Sequence, residues 1–237
     1  MSSLAIHENK IYSLGDNAVY TIPTTILPPP TLWLRADAGV VKDGDNLVSE
    51  WQNQNGNNYH AEQGSHANKP LWMDNELNGK PILRFNGSSN YMKVLFSEVY
   101  SQPTTLFHVH KINTANTNQF IIDRHSSFHY LFFKGNASAS VAMNAGSSLE
   151  STLDVPYNYH LFSNVFNGAS SQFFINNILV SSGNTGNNSV NGLTLGARYS
   201  NNNFAAVDFA EIIFYNSLLS DPQRQSVENY LITKYAL

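Results

Sequence analysis

His108 and His110 stand two apart in the run Thr104–Ile112. Its alternation puts Leu106, His108 and His110 on one strand face and Thr105, Phe107, Val109 and Lys111 on the other. Two imidazoles on one face can chelate a transition metal, and His125 and His129, one hairpin later, are within cross-strand reach. The competing reading is outward polar residues on an Asn-rich surface, since no carboxylate pattern marks a third ligand. Carboxylates are sparse. A glycoside hydrolase sets two carboxyl groups about 5–10 Å apart across a cleft. Asp208 and Glu211 are three apart in a strand-like run, so they are expected on opposite faces. Glu50, Asp74, Glu76, Glu98, Glu150 and Asp154 stand singly, and no serine lies in a nucleophile turn. The chain is therefore read as non-enzymatic, with no catalytic residue. Asp43-Gly44-Asp45-Asn46 offers hard oxygens to calcium through Asp43 and Asp45, but Asp-Gly is also a common hairpin turn. The turn is preferred, and no cofactor is required.

Sugar recognition asks for aromatic faces and for amides or carboxylates on loops. Tyr59, His60 and Trp72 flank the amide-rich loop Asn53–Asn58, and Tyr199 precedes Asn201, Asn202 and Asn203. A second amide-rich loop spans Asn184–Asn191. These residues form the candidate ligand site; Trp33 and Trp51 sit in strand patterns and are expected in the core. Loops of this composition equally serve a soluble, weakly charged surface.

The elements that must carry these residues are mostly strands. Of 237 residues, 42% are hydrophobic, 12% aromatic and only 13% charged, and there are about thirty Asn and no Cys. Asn and Gly favour turns, so many short strands joined by loops are expected. The absence of cysteine removes disulfides, thiol nucleophiles and zinc–thiolate sites. A net charge of −4 leaves no basic footprint for nucleic acid, and no apolar run approaches the ~20 residues of a membrane span. The first residues, Met1–Glu8, lack the pattern of a secretory leader. Residues 1–30, ending in Pro28-Pro29-Pro30, read either as an arm or anchor or as an extra edge strand, with short strands expected at 11–14 and 18–22. The main domain spans 31–237. It closes with a buried strand, Val207–Asn216, and a helix after Ser220, which with Gln223 forms a capping box ahead of Pro222 in the first turn. Val227, Tyr230, Leu231, Ile232 and Tyr235 form its apolar face, leaving Arg224, Glu228, Asn229 and Lys234 mostly to water. The helix is expected across an edge or end of the sandwich. Glu211, mid-strand, is expected to bond backbone or a base such as Arg84 or Arg198.

The order of segments resembles a known family: Leu32-Trp33-Leu34, then Trp51 with Gln52–Ala61, then Asn78–Gly87, Phe174–Asn177, Leu193–Gly196, and Phe209–Asn216 with its capped helix. This succession is similar to the laminin-G-like, concanavalin-A-like jelly-roll domains of bacterial surface proteins and phage virion proteins. The resemblance implies an all-β antiparallel sandwich with one C-terminal helix. Relatives often carry Asp where this chain has Asn53, so calcium binding in that loop is not favoured. The resemblance, the leaderless start and the proline-linked arm together imply a virion surface protein: a spike, head fibre, decoration or tail-fibre component. Its expected partners are other virion proteins through residues 1–30, a cell-surface glycan, and further copies of itself. A bacterial carbohydrate-binding or adhesin module is the alternative, and a polysaccharide hydrolase is third.

Overall fold

A computed structural model describes residues 26–114, 119–126, 141–151 and 157–237, and the backbone pairing of 6–7, 10–11 and 132–134. The strands expected at 11–14 and 18–22 lie outside the described residues apart from Ile11, which belongs to a short hairpin of β1 (Ile6–His7) and β2 (Lys10–Ile11).

Two antiparallel sheets are stacked face to face, as the alternating runs predict. Among the described residues one has eight strands. Its order is β17 (Ile178–Gly183), β16 (Ser171–Ile175), β15 (His160–Phe166), β10 (Thr104–Ile112), β19 (Ala206–Tyr215), β8 (Lys80–Asn86) and β7 (Leu71–Leu77). The eighth, β3 (Leu32–Arg35), pairs the remaining length of β19. The other sheet runs β14 (Ser148–Glu150), β13 (Val141–Asn144), β12 (Phe132–Lys134), β11 (Gln119–Arg124), β18 (Val190–Leu195), β9 (Met92–Tyr100), β6 (Ala61–Glu62), β5 (Val48–Trp51) and β4 (Val40–Lys42). The fold is a concanavalin-A-like jelly-roll sandwich. Between the sheets pack Leu32, Trp51, Val94, Ile122, Leu195 and Phe209, and Phe96 stacks on Phe214 at 5.4 Å.

A second core lies on the outer face of the eight-stranded sheet. There Ile82, Phe107, Val109, Leu161, Ala210 and Ile213 meet Val227, Leu231 and Tyr235 of helix α1 (Asp221–Tyr235). The helix therefore covers a sheet face rather than an edge or end. Its start follows the sequence: the Ser220 N–H donates to Gln223 Oε1 at 2.9 Å, and Pro222 sits in the first turn. Its polar residues do not all face water. Arg224 and Glu228 are buried as an i,i+4 ion pair, with the Arg224 guanidinium 3.8 Å above the Phe174 ring. No helix among the described residues is long and apolar enough to cross a membrane.

Because β19 is covered on both faces, all ten of its residues are buried. Its register against β10 slips by one residue, so that Val109 opposes Glu211 and His110 opposes Phe209. This bulge resets the alternation. Val207, Phe209, Ile212 and Phe214 point between the sheets, whereas Asp208 and Glu211 both meet groups on the helix-covered face. The expectation of opposite faces is thereby corrected. Glu211 does pair with a base, as expected, but the base is Lys234, while Arg84 pairs with Asp208 at 2.9 and 2.8 Å. Glu211 accepts from Trp33 Nε1 at 2.6 Å, Lys234 Nζ at 2.7 Å, Tyr235 OH at 2.8 Å and Tyr230 OH at 3.1 Å.

The amide-rich loop after Trp51 is not a solvated loop. Asn53 is buried; its Oδ1 accepts the Trp33 N–H at 2.8 Å and its Nδ2 donates to the Thr31 carbonyl at 3.3 Å. Asn55 donates to the Pro30 and Thr31 carbonyls, and Asn57 Nδ2 donates to the Thr31 carbonyl at 2.9 Å. Three carboxamides thus grip the strand entry through the carbonyls of Pro30 and Thr31. Asn53→Ala is expected to cost about 2–3 kcal/mol, because it strands the buried Trp33 N–H and frees the loop. An unchanged urea midpoint would remove the latch from the account of stability.

Candidate functional site

α1 lies over one outer face of the sandwich, and among the described residues no α-helix covers the outer face of the nine-stranded sheet. In Tyr91-Met92-Lys93-Val94-Leu95 the alternation sends Met92 and Val94 inward and turns Lys93 and Leu95 outward. Strand pairing sets Lys93 beside Glu62 on one side and Thr194 on the other, with Glu50 beyond Glu62 and Asp123 beyond Thr194. A polar row therefore crosses five strands. Over it lies a cleft of about 560 Å³, lined among others by His60, Glu62, Gln63, Tyr91, Lys93 and His125. That volume falls in the range of small-ligand sites, about 300–1,000 Å³.

Each wall is fixed from behind. His60 Nδ1 accepts the Asn53 N–H at 3.0 Å, so the latch loop orients that ring. Gln63 Nε2 donates to the Tyr91 carbonyl at 2.8 Å. Lys93 Nζ donates to the Tyr199 carbonyl at 3.1 Å, while the Tyr199 N–H donates to Asp123 Oδ2 at 2.8 Å. The Tyr199 main chain is thus held from both sides. Asn201, left-handed at φ 58°, places its Nδ2 at 3.3 Å from the Tyr91 hydroxyl. Asn202 accepts from the Arg198 N–H at 2.9 Å through its backbone and from the Ser200 hydroxyl at 3.0 Å through its side chain. Burial lowers the pKa of Lys93. Burial and then the charge of Lys93 lower that of His125. Asp123 is pushed up to about 6 by burial, against the pull of its two backbone N–H donors.

Of the residues expected at a ligand site, His60, Tyr199 and Asn201 converge on this cleft or its rim, with Asn202 in the same rim loop. Tyr59 turns aside: its hydroxyl meets Ser97 Oγ at 2.5 Å and Tyr100 OH at 3.3 Å, and its ring packs on Phe96. Trp72 lies on the other sheet, packed against the core, with Nε1 donating to the Ala36 carbonyl at 3.0 Å and Lys42 Nζ 4.0 Å over the ring. That stacking surface is already in use. The Asp43–Asn46 stretch is the turn: Asp43 Oδ1 accepts the N–H groups of Asp45 and Leu47 at 3.1 and 2.9 Å. Asp43 Oδ2 faces His66 and Lys69 at 3.7 and 3.9 Å, a setting that disfavours a cation.

His108 and His110 correct both sequence readings, since neither faces water. Both are fully buried between the sheets, with Nδ1 atoms 2.9 Å apart, His108 Nε2 2.8 Å from Asn164 Oδ1, and the His110 ring 4.2 Å from that of Phe162. His125 is on the other sheet, and His129 lies outside the described residues. Among the described residues no three potential ligands gather to hold a metal. Glu62, Tyr91 and Lys93 were missed as site residues, and His125 was singled out only as a metal ligand. The alternation through 91–95 carried a signal for Lys93; the pairing with Glu62 did not show.

No protein-family model and no curated protein sequence matches the chain. Solved structures share its fold. The binding domain of Paraclostridial Mosquitocidal Protein 1 superposes with a TM-score of 0.60 at 13% identity, over 86% of this chain and 52% of that one. The botulinum neurotoxin serotype D ligand-binding domain, in complex with N-acetylneuraminic acid, gives 0.60 at 13% over 86% and 51%. Trypanosoma rangeli sialidase gives 0.60 at 13% over 88% and 34%. The chain spans about half the length of the toxin domains and about a third of the sialidase.

Proposed function

We propose that this chain is a non-enzymatic glycan-binding domain whose ligand occupies the cleft over Lys93. The observation that carries the reading is the convergence there of an ammonium, a carboxylate, imidazoles and a tyrosine on one preformed surface, with the Tyr199 loop pinned at its rim. These groups supply the donors, acceptors and ring faces that sugar hydroxyls and C–H faces need. The likeness to toxin binding domains supports the fold on which such a site is built. The two carboxylates of β19 speak against hydrolysis, because Asp208 is neutralised by Arg84 and Lys111 and Glu211 by Lys234, under the helix. In its narrower form the proposal places the domain on a virion surface, with residues 1–30 as its attachment arm to other virion proteins. Detection of the chain in purified particles tests that part; its absence from them would sink it.

Glycan-array binding by the intact chain tests the main reading. Tyr91→Ala, which removes the ring and the hydroxyl that meets Asn201, is expected to weaken binding by about tenfold, or ~1.4 kcal/mol. Binding that survives Tyr91→Ala at full strength would move the site elsewhere.

A further inference from the structure

A second opening lies on the helix side of the sandwich, away from the Lys93 cleft. Between the entering prolines and α1 runs a groove of about 290 Å³, lined among others by Ile213 and Tyr215 of β19, by Leu27 and Trp33, and by Val227 and Tyr230 of α1. No charged side chain lines it among the described residues. Its two indole and phenol walls present carbon, because Trp33 Nε1 and the Tyr230 hydroxyl both donate to Glu211, at 2.6 and 3.1 Å. The polar residues at its rim are engaged too. Gln54 Nε2 donates to the Gln52 carbonyl at 2.8 Å, Asn55 Nδ2 to the Thr31 carbonyl at 2.9 Å and Ser226 Oγ to the Pro222 carbonyl at 2.7 Å. Tyr215 is the exception. It is 4% exposed, its ring meets Phe107 edge-on with centroids 6.1 Å apart, and its hydroxyl has no hydrogen-bond partner among the described residues. Burial alone pushes its pKa up to about 12, so the hydroxyl keeps its proton and remains a donor. Buried polar groups are paired almost without exception, and an O–H held this far out of water without an acceptor calls for one from outside. The groove is the open space that Tyr215 meets.

From this arrangement we infer that the groove is a second binding site, for an uncharged and mainly apolar small molecule whose hydroxyl or carbonyl oxygen accepts from the Tyr215 O–H. An ion would be desolvated there with no opposite charge in the lining to compensate it, so the ligand is neutral. The volume lies at the lower end of small-ligand sites, about 300–1,000 Å³, and suits one ring with a short substituent better than a run of peptide. Such a ring packs against Trp33 and Tyr230 while its oxygen reaches the floor. The site shares no residue with the Lys93 cleft and stands whether or not that cleft binds glycan.

The test is titration of the intact chain with acetophenone, toluene and benzoate, followed through the NMR signals of the Trp33 indole N–H and the Val227 methyl groups. The probes share one ring: acetophenone carries an acceptor oxygen, toluene carries none, and benzoate carries a charge. Acetophenone is expected to shift both signals and to bind about fivefold tighter than toluene, the margin of one neutral hydrogen bond. Benzoate is expected to bind about tenfold more weakly than acetophenone. Tyr215→Phe removes an oxygen that holds nothing in the protein, so the fold is expected to be kept. In that variant acetophenone should fall to the toluene level, with toluene binding unchanged. No shift of these signals by either neutral probe overturns the inference, as does benzoate binding as tightly as acetophenone. Equal binding of acetophenone by wild type and Tyr215→Phe overturns it too. Binding of a blocked tetraproline peptide at the same signals, with none of acetophenone, would assign the groove to a protein segment and overturn the small-molecule inference.

Discussion

Replacing Glu211 by alanine is expected to destabilise the domain by about 3–5 kcal/mol, a large share of the ~5–15 kcal/mol that holds a typical domain together. Glu211 is fully buried and receives four donors from two elements: Trp33 of β3, and Tyr230, Lys234 and Tyr235 of α1. The carboxylate therefore ties the helix to the sheet and the sheet to the strand that opens the domain. Its removal leaves the Lys234 ammonium, about 10% exposed, without its closest counterion and strands the Trp33 indole N–H. Lys234 keeps Asp37, at 3.1 Å, as a second acceptor, so the loss is expected nearer the lower end of that range. Burial and then the Glu211 charge hold the Tyr230 and Tyr235 hydroxyls far above the usual phenol range, so both stay protonated as donors. Glu211→Gln should cost less, because it keeps an acceptor for Trp33 and loses the charge. Urea denaturation reads the difference; a cost below 1 kcal/mol for Glu211→Ala would show that the helix is held by its apolar face alone.

Acid is expected to weaken the fold well above the range where carboxylates titrate. Burial lowers the pKa of His108 to about 3 and that of His110 well below its ordinary 6.5, with the neighbouring His108 and His160 adding to the second shift. Below about pH 6.5 the unfolded chain binds a proton at each site that the folded chain does not, at His108 down to about pH 3. The stability these rings contribute is thus complete above about 6.5 and is lost as pH falls, at about 1.4 kcal/mol per pH unit for each ring. Asp123 runs the other way. With its folded pKa raised to about 6, it takes up a proton before the unfolded carboxyl does, so between about 6 and 4 it offsets one of the two histidines. Below about 4 the offset ends and the loss steepens. Asp37 adds to the loss there, since Arg35 and Lys234 hold its pKa below the ordinary value against the effect of its own burial. Denaturation measured from pH 7 to 4 should show His110→Phe reducing the slope by about one proton and Asp123→Asn increasing it between 6 and 4. Identical slopes for wild type and both variants would show that the rings find their protons without opening the sandwich.

What the sequence disclosed was local. Ser220, Pro222 and Gln223 sit within one turn of each other and specify the helix start by themselves, and the unbroken apolar run of β19 records burial on two faces. The face shared by His108 and His110 was also legible, but not its direction: imidazoles flanked by Leu106 and Ile112 can turn either way until Phe162 and Phe209 close over them. The β19 bulge left no compositional trace, since inserting one residue into an apolar run changes the geometry without changing the pattern. Asn53, Asn55 and Asn57 looked like solvent-facing amides because their acceptors lie more than twenty residues earlier in the chain. The cleft was half visible for the same reason. His60, Tyr199 and Asn201 were singled out by residue type, whereas Lys93 and Glu62 became neighbours only through strand pairing.

The packing of residues 26–30 bears on how the domain is held. The Ile26 carbonyl accepts from Gln223 Nε2 of α1 at 2.8 Å, and the half-buried Leu27 packs against the core that the helix covers. The chain thus enters on the helix side, and the helix that ends the chain lies there as well. The Lys93 cleft opens on the far side, with both sheets and the whole inter-sheet core in between. Anything tethered through the residues before Ile26 holds the domain by its back. Under the virion-surface reading proposed above, the cleft then points outward, away from the particle, like a palm on an extended wrist.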